Sequence, residues 1–332
     1  ELLFKQLQIR KPDIFLEAAK GTPSETIGDI IAKADKVFLK IKPDALLIYG
    51  DTNSCLSVIS AKKRKIPIFH LEAGNRCFDQ RVPEETNRKI VDHLSDINLP
   101  LSEQARNYLI SEGIKPETVI KTGSPMKEVL NANMEKIKSS DILDKEKLES
   151  KKYILMSFHR EENLDNEKNF TSLLETVTEL TNKYKMPIII STHPRARKKL
   201  KDLNYHNNNP LIKFSKPYGF HEYINLQINA FCVISDSGTI SEEGSLLNLP
   251  AVTIRQAHER PEGMDETAVI MSGLNKNRVI EAVEVATSHQ VKNSRIIKVV
   301  KDYDSDNVSM KVLRIILSYV DYINRTVWKR EG

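Results

Sequence analysis

The sequence predicts an α/β protein built from two doubly wound, Rossmann-like domains. Three observations carry this. Short apolar runs alternate with amphipathic helical stretches along the chain, the pattern of βαβ units whose parallel strands are buried on both faces. The alternation stops once, in a polar, lysine-rich stretch from Met126 to Lys152, and then restarts. The chain has 332 residues, more than one ordinary core holds. A boundary is therefore expected near residue 150, giving domains 1–150 and 151–332.

The first half begins mid-pattern with Glu1-Leu2-Leu3-Phe4, without a first strand. From Ser24 to Ile41 the residues Ile27, Ile30, Ile31, Ala34, Val37, Phe38 and Ile41 fall on one helical stripe. Pro43-Asp44 ends that helix, and Ala45 to Tyr49 reads as a strand. Gly50-Asp51-Thr52 turns into a helix that runs to about Lys63. Ile66 to His70 is the next strand, closing at Leu71-Glu72-Ala73-Gly74. A loop through Arg76 and Asp79 leads to Val82-Pro83-Glu84-Glu85, where proline ahead of two acids starts a helix to about Leu94. Strands at Asp96 to Leu99 and Val119 to Thr122, with a helix from Ser102 between them, complete this half.

The second half restarts with a strand at Tyr153 to Phe158 and a helix at Lys168 to Tyr184. A strand at Pro187 to Ser191 ends at Thr192-His193-Pro194-Arg195; Lys213 lies in a short strand, and Pro217 to Asn229 is a loop and helix. Phe231 to Ser235 is an apolar run suited to a buried parallel strand, broken by Asp236-Ser237-Gly238. Thr239 to Leu247 is helical in character, and Thr239 with Glu242 fits a capping box. Backbone N–H groups at such a helix start favour a phosphate. Gly238 lets a ligand approach the backbone, Ser237 can donate its hydroxyl, and Glu243, one turn further in, can accept from ribose hydroxyls. The same residues also read as a plain helix cap. The strand Ala251 to Ile254 is followed by the charged loop His258 to Gly263. Helices at Asn275 to Ala286 and Asp306 to Asn324 close the chain, the last expected to pack back towards the N-terminal domain.

Composition excludes several classes. The net charge is +5, but the lysines are spread, with only short clusters such as Lys62 to Lys65. That pattern reads as solvated helix faces and not as a nucleic-acid surface, while still favouring an anionic small molecule. Cys55, Cys77 and Cys232 have neither disulfide nor metal-ligand spacing, which points to a reducing, cytoplasmic setting. No run reaches membrane-spanning length and no signal peptide is present, so no membrane partner is expected. The histidines form no HxxxH or HxH, and no GxGxxG occurs, which argues against a metal site and a nicotinamide or flavin site.

Four ionisable residues stand at or just beyond strand ends: Asp51, Glu72, Glu84 and His193. Strand C-termini in this fold share one rim. Singly, Asp51 can cap a helix, Glu84 can stabilise a helix start and His193 can be a loop residue. Three carboxylates and a histidine together suggest acid–base chemistry on a nucleotide-linked substrate.

These residues fall in motifs. GDT, EAGNR, PEETNR, HRE, THPR, DSGTISEE and ERPEG, in this order, resemble the non-hydrolysing UDP-N-acetylglucosamine 2-epimerases over nearly the whole chain. FDQRVPEETNRKIVDH, TGSPM and IRQAHERPEG are similar in spelling to the UDP-N-acetyl-L-fucosamine synthase branch. The resemblance implies two domains facing across a cleft, the glycosyltransferase-B type. It implies C2 epimerisation of UDP-N-acetylglucosamine, or of UDP-2-acetamido-2,6-dideoxy-L-talose, by anti elimination and re-addition of UDP for cell-surface polysaccharide synthesis. It implies a homodimer with no metal or redox cofactor. Asp51, Glu72 and Glu84 would then transfer protons, and His193 would protonate or pair with the leaving phosphate. Ser237 and the helix start at Gly238 would hold the diphosphate, Glu243 the ribose, and Arg160 and Arg260 the phosphate or sugar. The family's first strand and its GTRPE-type arginine loop are not among these residues, being either truncated or merely outside this sequence; a protein truly lacking them would miss the first strand of its sheet and is expected to be inactive. The alternatives are a glycosyltransferase, a hydrolysing epimerase and a non-catalytic nucleotide-sugar binding protein.

Overall fold

A computed structural model of the chain describes residues 4, 6–158, 160–164, 166–203, 205–257, 260–288, 295 and 297–330. The chain divides into two compact units, one of Pro12–Glu128 with Lys301–Gly332 and one of Glu1–Lys11 with Val129–Val300. The division therefore falls at residue 129 and not near 150. The polar stretch from Met126 to Lys152 contains a helix and is docked. On its Met126–Lys138 helix, Asn133 Oδ1 lies 2.9 Å from His221 Nε2, and the Ile137 carbonyl accepts from Asn225 Nδ2 at 2.8 Å. Ile142 is buried with Leu155 and Val233.

In the unit of 12–128 and 301–332, strands β1 (Leu46–Tyr49), β2 (Ile68–Leu71) and β3 (Ile97–Leu99) form a parallel sheet in that order. Leu46 pairs with Ile68, and Phe69 with Ile97. Alternate residues serve opposite faces, as the pleat requires. Ile48 and Ile68 pack with Val58, Ala61 and Val91, while Phe69, Leu71, Ile97 and Leu99 pack with Val308, Val312 and Ile323 of the Val308–Thr326 helix. The Pro23–Ile41 helix starts at a capping box between Thr22 and Glu25 and buries Ile30 and Ala34. The turn after Asp51 opens as a 3₁₀ helix, Asn53–Ser57, before the α-helix Val58–Lys63. The strand expected at Val119 to Thr122 is reduced to one bridge, Asn98 to Val119, with hydrogen bonds from Ile120 N–H to the Asn98 carbonyl and Thr122 N–H to the Pro100 carbonyl. Gly123, at φ 86°, turns the chain away directly afterwards.

The unit of 1–11 and 129–300 holds β4 (Ile154–Phe158), β5 (Ile188–Thr192), β6 (Ile212–Ser215), β7 (Cys232–Ser235), β8 (Ala251–Thr253) and β9 (Ile270–Met271). All neighbours are parallel, in the order β6-β5-β4-β7-β8-β9. Counted within the unit this is 3-2-1-4-5-6, the doubly wound order, which reverses between β4 and β7. Ile154, Met156, Ile190, Cys232 and Ile234 enter one core, and Leu155, Ile189 and Val233 the other. Elements outside the sequence expectation include β9, the short Ile142–Glu146, Glu161–Leu164 and Pro261–Asp265 helices, and the Pro194–Asp202 helix, whose one buried residue is Ala196. Among the described residues, no helix is long and apolar enough to cross a membrane.

Candidate active site

At the C-terminal rim of the first sheet, three residues adopt left-handed backbone: Gly50 (φ 80°), Glu72 (φ 71°) and Gly74 (φ 82°). For a glutamate this costs about 1–3 kcal/mol, strain that recurs at functional sites. A Cβ at Gly50 would stand 3.5 Å from Glu72 Oε2, so the Glu72 carboxylate lies over the end of β1. A Cβ at Gly74 would lie 2.4 Å from the Ala105 carbonyl oxygen, so only glycine fits there. Asn75 Nδ2 donates to Glu72 Oε1 at 3.2 Å.

Asp51 does not cap the helix that follows. Its Oδ2 accepts from Arg88 Nε at 2.7 Å, and its carbonyl accepts from Asn87 Nδ2 at 3.0 Å. Arg88 and Asn87 belong to the Glu84–Leu94 helix, so that helix start is fastened to the end of β1. Arg88 Nη1 also donates to Glu85 Oε2 at 3.1 Å. Glu85 is buried and accepts from the backbone N–H groups of Cys77 and Phe78 at 3.2 Å each. Burial pushes Glu85 up, but the bonds from Cys77 and the Arg88 charge outweigh it and hold the carboxyl below its ordinary value. Glu84, beside it, is half-buried in the first turn. The structure thus gathers Asp51, Glu72 and Glu84 around one rim.

The second sheet carries the other predicted residues. Asp236, immediately after β7, is fully buried and accepts from the Arg160 N–H and from Asn163 Nδ2, both at 3.0 Å. This joins the ends of β4 and β7 where the strand order reverses, the place where doubly wound sheets bind ligands. Arg160 lies in the first of these joined segments, and Ser237 and Gly238 in the second. Ser237 N–H donates to Ser235 Oγ at 3.0 Å, and Ser235 Oγ lies 2.8 Å from Ser157 Oγ. The expected capping box is not formed: Thr239 Oγ1 lies 3.0 Å from Ser237 Oγ, and Glu242 Oε2 pairs with Arg260 Nη2 at 3.3 Å. Both charges are buried, and each needs the other. The Ile240–Leu247 helix leaves its first-turn N–H groups without intrahelical acceptors. Glu243 is buried and held by Gln227 Nε2 at 2.6 Å. Burial raises its pKa, with hydrogen bonds from Gln227 and Thr239 acting against the rise.

His193 is exposed and caps the Pro194–Asp202 helix, its Nδ1 accepting from the Arg195 N–H at 3.4 Å. An accepting Nδ1 leaves the proton of the neutral ring on Nε2, which then donates outward. His159 of the HRE motif, and His258 and Glu259 of the loop after β8, lie outside the described residues. Sequence reasoning missed the residues that hold these groups: Asn87, Arg88, Asp236, Asn163 and Gln227. Arg88 had a signal, since it follows Glu84 by four positions and shares its helix face. Gln227 had none, because its partner comes from another helix.

Comparison with known proteins places this geometry in context. A family model described as UDP-N-acetylglucosamine 2-epimerase matches residues 1–317. A UDP-N-acetylglucosamine 2-epimerase from Methanococcus maripaludis is 35% identical over 291 residues, 86% of this chain and 80% of that protein. The structure of the UDP-N-acetylglucosamine 2-epimerase from Rickettsia bellii matches with a TM-score of 0.92 at 55% identity, covering 98% of this chain and 86% of that one. The Methanocaldococcus jannaschii UDP-GlcNAc 2-epimerase, solved in complex with UDP-GlcNAc and UDP, matches with a TM-score of 0.87 at 32% identity, over 96% of this chain and 87% of that one.

Proposed function

The chain belongs to the UDP-N-acetylglucosamine 2-epimerase family, and from that premise we propose that it interconverts the C2 epimers of a UDP-2-acetamido sugar by anti elimination and re-addition of UDP. The observation that carries the mechanism is the gathering of Asp51, Glu72 and Glu84 at one strand-end rim, with Arg88 on Asp51 and Asn75 on Glu72. The C2 proton has no neighbouring carbonyl and is weakly acidic. Removing it as UDP leaves C1 avoids a free carbanion and gives a glycal. UDP then returns to C1 while C2 is protonated on the other face. That sequence needs a base and an acid on opposite faces of the sugar and donors for the departing diphosphate.

Asp51, Glu72 and Glu84 supply the proton-transfer groups. Ser237 and the N–H groups at the start of the Ile240–Leu247 helix hold the diphosphate, Glu243 accepts from the ribose, and Arg160 and Arg260 serve phosphate or sugar. His193, with its outward Nε2–H, pairs with the leaving phosphate. The reaction is read as cytoplasmic, in keeping with three free cysteines, carried out by a homodimer and feeding cell-surface polysaccharide synthesis. For the sugar, relatives' names favour UDP-N-acetylglucosamine, while FDQRVPEETNRKIVDH favours the 6-deoxy-L-hexose.

Proton NMR in D₂O tests the whole reading. Tubes holding UDP-N-acetylglucosamine and UDP-2-acetamido-2,6-dideoxy-L-talose are followed in parallel. Deuterium at C2 with a second UDP-sugar anomeric signal is the expected result, and the faster tube names the substrate. Free sugar plus UDP would indicate the hydrolysing reaction. No exchange in either would overturn epimerisation.

A further inference from the structure

Beneath the carboxylate rim lies a buried charge cluster that the proposed chemistry does not use. His70, in β2, is 1% exposed. Its Nδ1 lies 2.7 Å from Asp92 Oδ1, and its Nε2 lies 3.1 Å from the Gly50 carbonyl oxygen. A carbonyl oxygen only accepts, so Nε2 carries a proton. Asp92 also accepts from Arg76 Nη1 at 2.8 Å and from the Gly74 N–H at 3.2 Å. Against an arginine, which keeps its charge, this carboxylate is ionised and accepts from Nδ1 as well. Both ring nitrogens thus face acceptors, a geometry that calls for a proton on each. The charge balance agrees. Arg76 grips Glu112 at 2.8 and 2.6 Å, and His93 Nε2 stands 3.3 Å from Glu112 on the exposed side, so within the buried part a charged His70 with Arg76 offsets Asp92 and Glu112.

We propose that His70 is a protonated positioning residue that fastens the strand ends bearing Asp51 and Glu72 and holds a positive charge beneath them. It rests on the acid–base reading of those carboxylates. The bonds are placed for this role. His70 grips the carbonyl of Gly50, one residue before Asp51, and Asp92 grips the N–H of Gly74, two residues after Glu72. Glycine adopts the left-handed backbone of the first turn freely, but at Glu72 in the second it persists only where surrounding bonds over-determine it. The charged and titratable groups around the ring are Asp92 from the Glu84–Leu94 helix, Arg76 and Glu112 behind it with His93 on Glu112, and Asp51, with Arg88 and its second partner Glu85, and Glu72 at the rim. The buried Cys55 thiol, pushed up to about 12 by burial and then by Asp51 and Asp92, is neutral.

The test combines ¹⁵N NMR of histidine-labelled protein with kinetics of His70→Gln. His70 is assigned by the signals that vanish in the variant. Both ring nitrogens should show protonated shifts at neutral pH. One unprotonated nitrogen at neutral pH overturns the proposal. His70→Gln keeps an N–H for Gly50 but loses the charge. Its kcat should fall roughly 10- to 100-fold through misplacement of the carboxylates, with KM within about twofold. The acid limb of its kcat–pH profile should move up by about one unit, because a nearby cation lowers a carboxylate's pKa. A loss that merely tracks the folded fraction, with the acid limb unmoved, also overturns it. Should His70→Gln fail to fold, His70 is assigned by through-bond correlation to its own backbone and Asp92→Asn is read by NMR alone: the ring should lose one proton, and persistent double protonation sinks the charge pairing. Asp51→Asn and Glu72→Gln are measured first. Wild-type turnover in both would remove the acid–base reading itself; inactivity in both with a fully active His70→Gln would remove only this proposal.

Discussion

Two adjacent glutamates show how little separates a structural acid from a reactive one. Glu85 is spent on Cys77, Phe78 and Arg88, whereas Glu84 stands half-buried at the helix start. Glu84→Gln is expected to abolish turnover while UDP affinity by calorimetry stays at the wild-type value; full turnover would strike Glu84 from the mechanism. At His193, asparagine is the informative replacement because it caps helices well but has no ring. His193→Asn should leave the melting temperature unchanged and lower kcat by roughly 100-fold or more, the scale of a lost proton donor. Unchanged kcat would strike His193 from the mechanism. Glu112 sets a pH dependence. The Arg76 bond and charge, aided by His93, hold its carboxyl below its ordinary value of 4.5. A depressed carboxylate contributes stability that is present above its unfolded pKa and lost as pH falls through its folded one. Unfolding free energy should therefore drop below about pH 4.5, and Glu112→Gln should flatten that drop in acid denaturation curves. The strand-end acids were legible because Gly50-Asp51 and Glu72-Ala73-Gly74 end apolar runs. The pairing of Glu242 with Arg260 was not, since Arg260 comes from a later loop and competes with the cap that spacing alone suggests.

Elements were legible in proportion to their apolar periodicity. The Pro23–Ile41 helix came through nearly whole on its apolar stripe alone, and the structure adds a Thr22–Glu25 cap at its start. Thr22→Ala should cost about 1 kcal/mol in urea unfolding, the usual worth of an N-cap side chain; no change would mean that packing alone holds the helix start. The Pro194–Asp202 helix escaped notice for the opposite reason, since a run of arginines and lysines around one buried alanine has no stripe to read. Strand β9 is too short to alternate. The segment at Val119 to Thr122 looked like a strand by composition, yet Gly123 cuts its pairing to one bridge.

At the scale of the molecule, the chain passes between its two units after residues 11, 128 and 300. Composition could not place the second crossing, because the Met126–Lys138 helix buries only Leu130 and Ile137 and reads as solvated. The third crossing sends the last helix to the first sheet, where Val308, Val312 and Ile323 join Phe69 and Ile97. Burying three such side chains is worth about 1.5–3 kcal/mol each, a large share of the roughly 5–15 kcal/mol that keeps a domain folded. Truncation after Val300 should therefore abolish turnover and leave 12–128 open to protease, with 129–300 surviving as a resistant fragment in mass spectrometry. Survival of both segments would show that the helix is dispensable. The same crossing orders events on the ribosome. Residues 129–300 have their whole sheet in hand once 300 has emerged, but the unit begun earlier waits for the last helix. At roughly 5–20 residues per second, its apolar sheet face stays bare for many seconds, so the half of the protein written first is the half finished last, and it is there that a chaperone has something to hold.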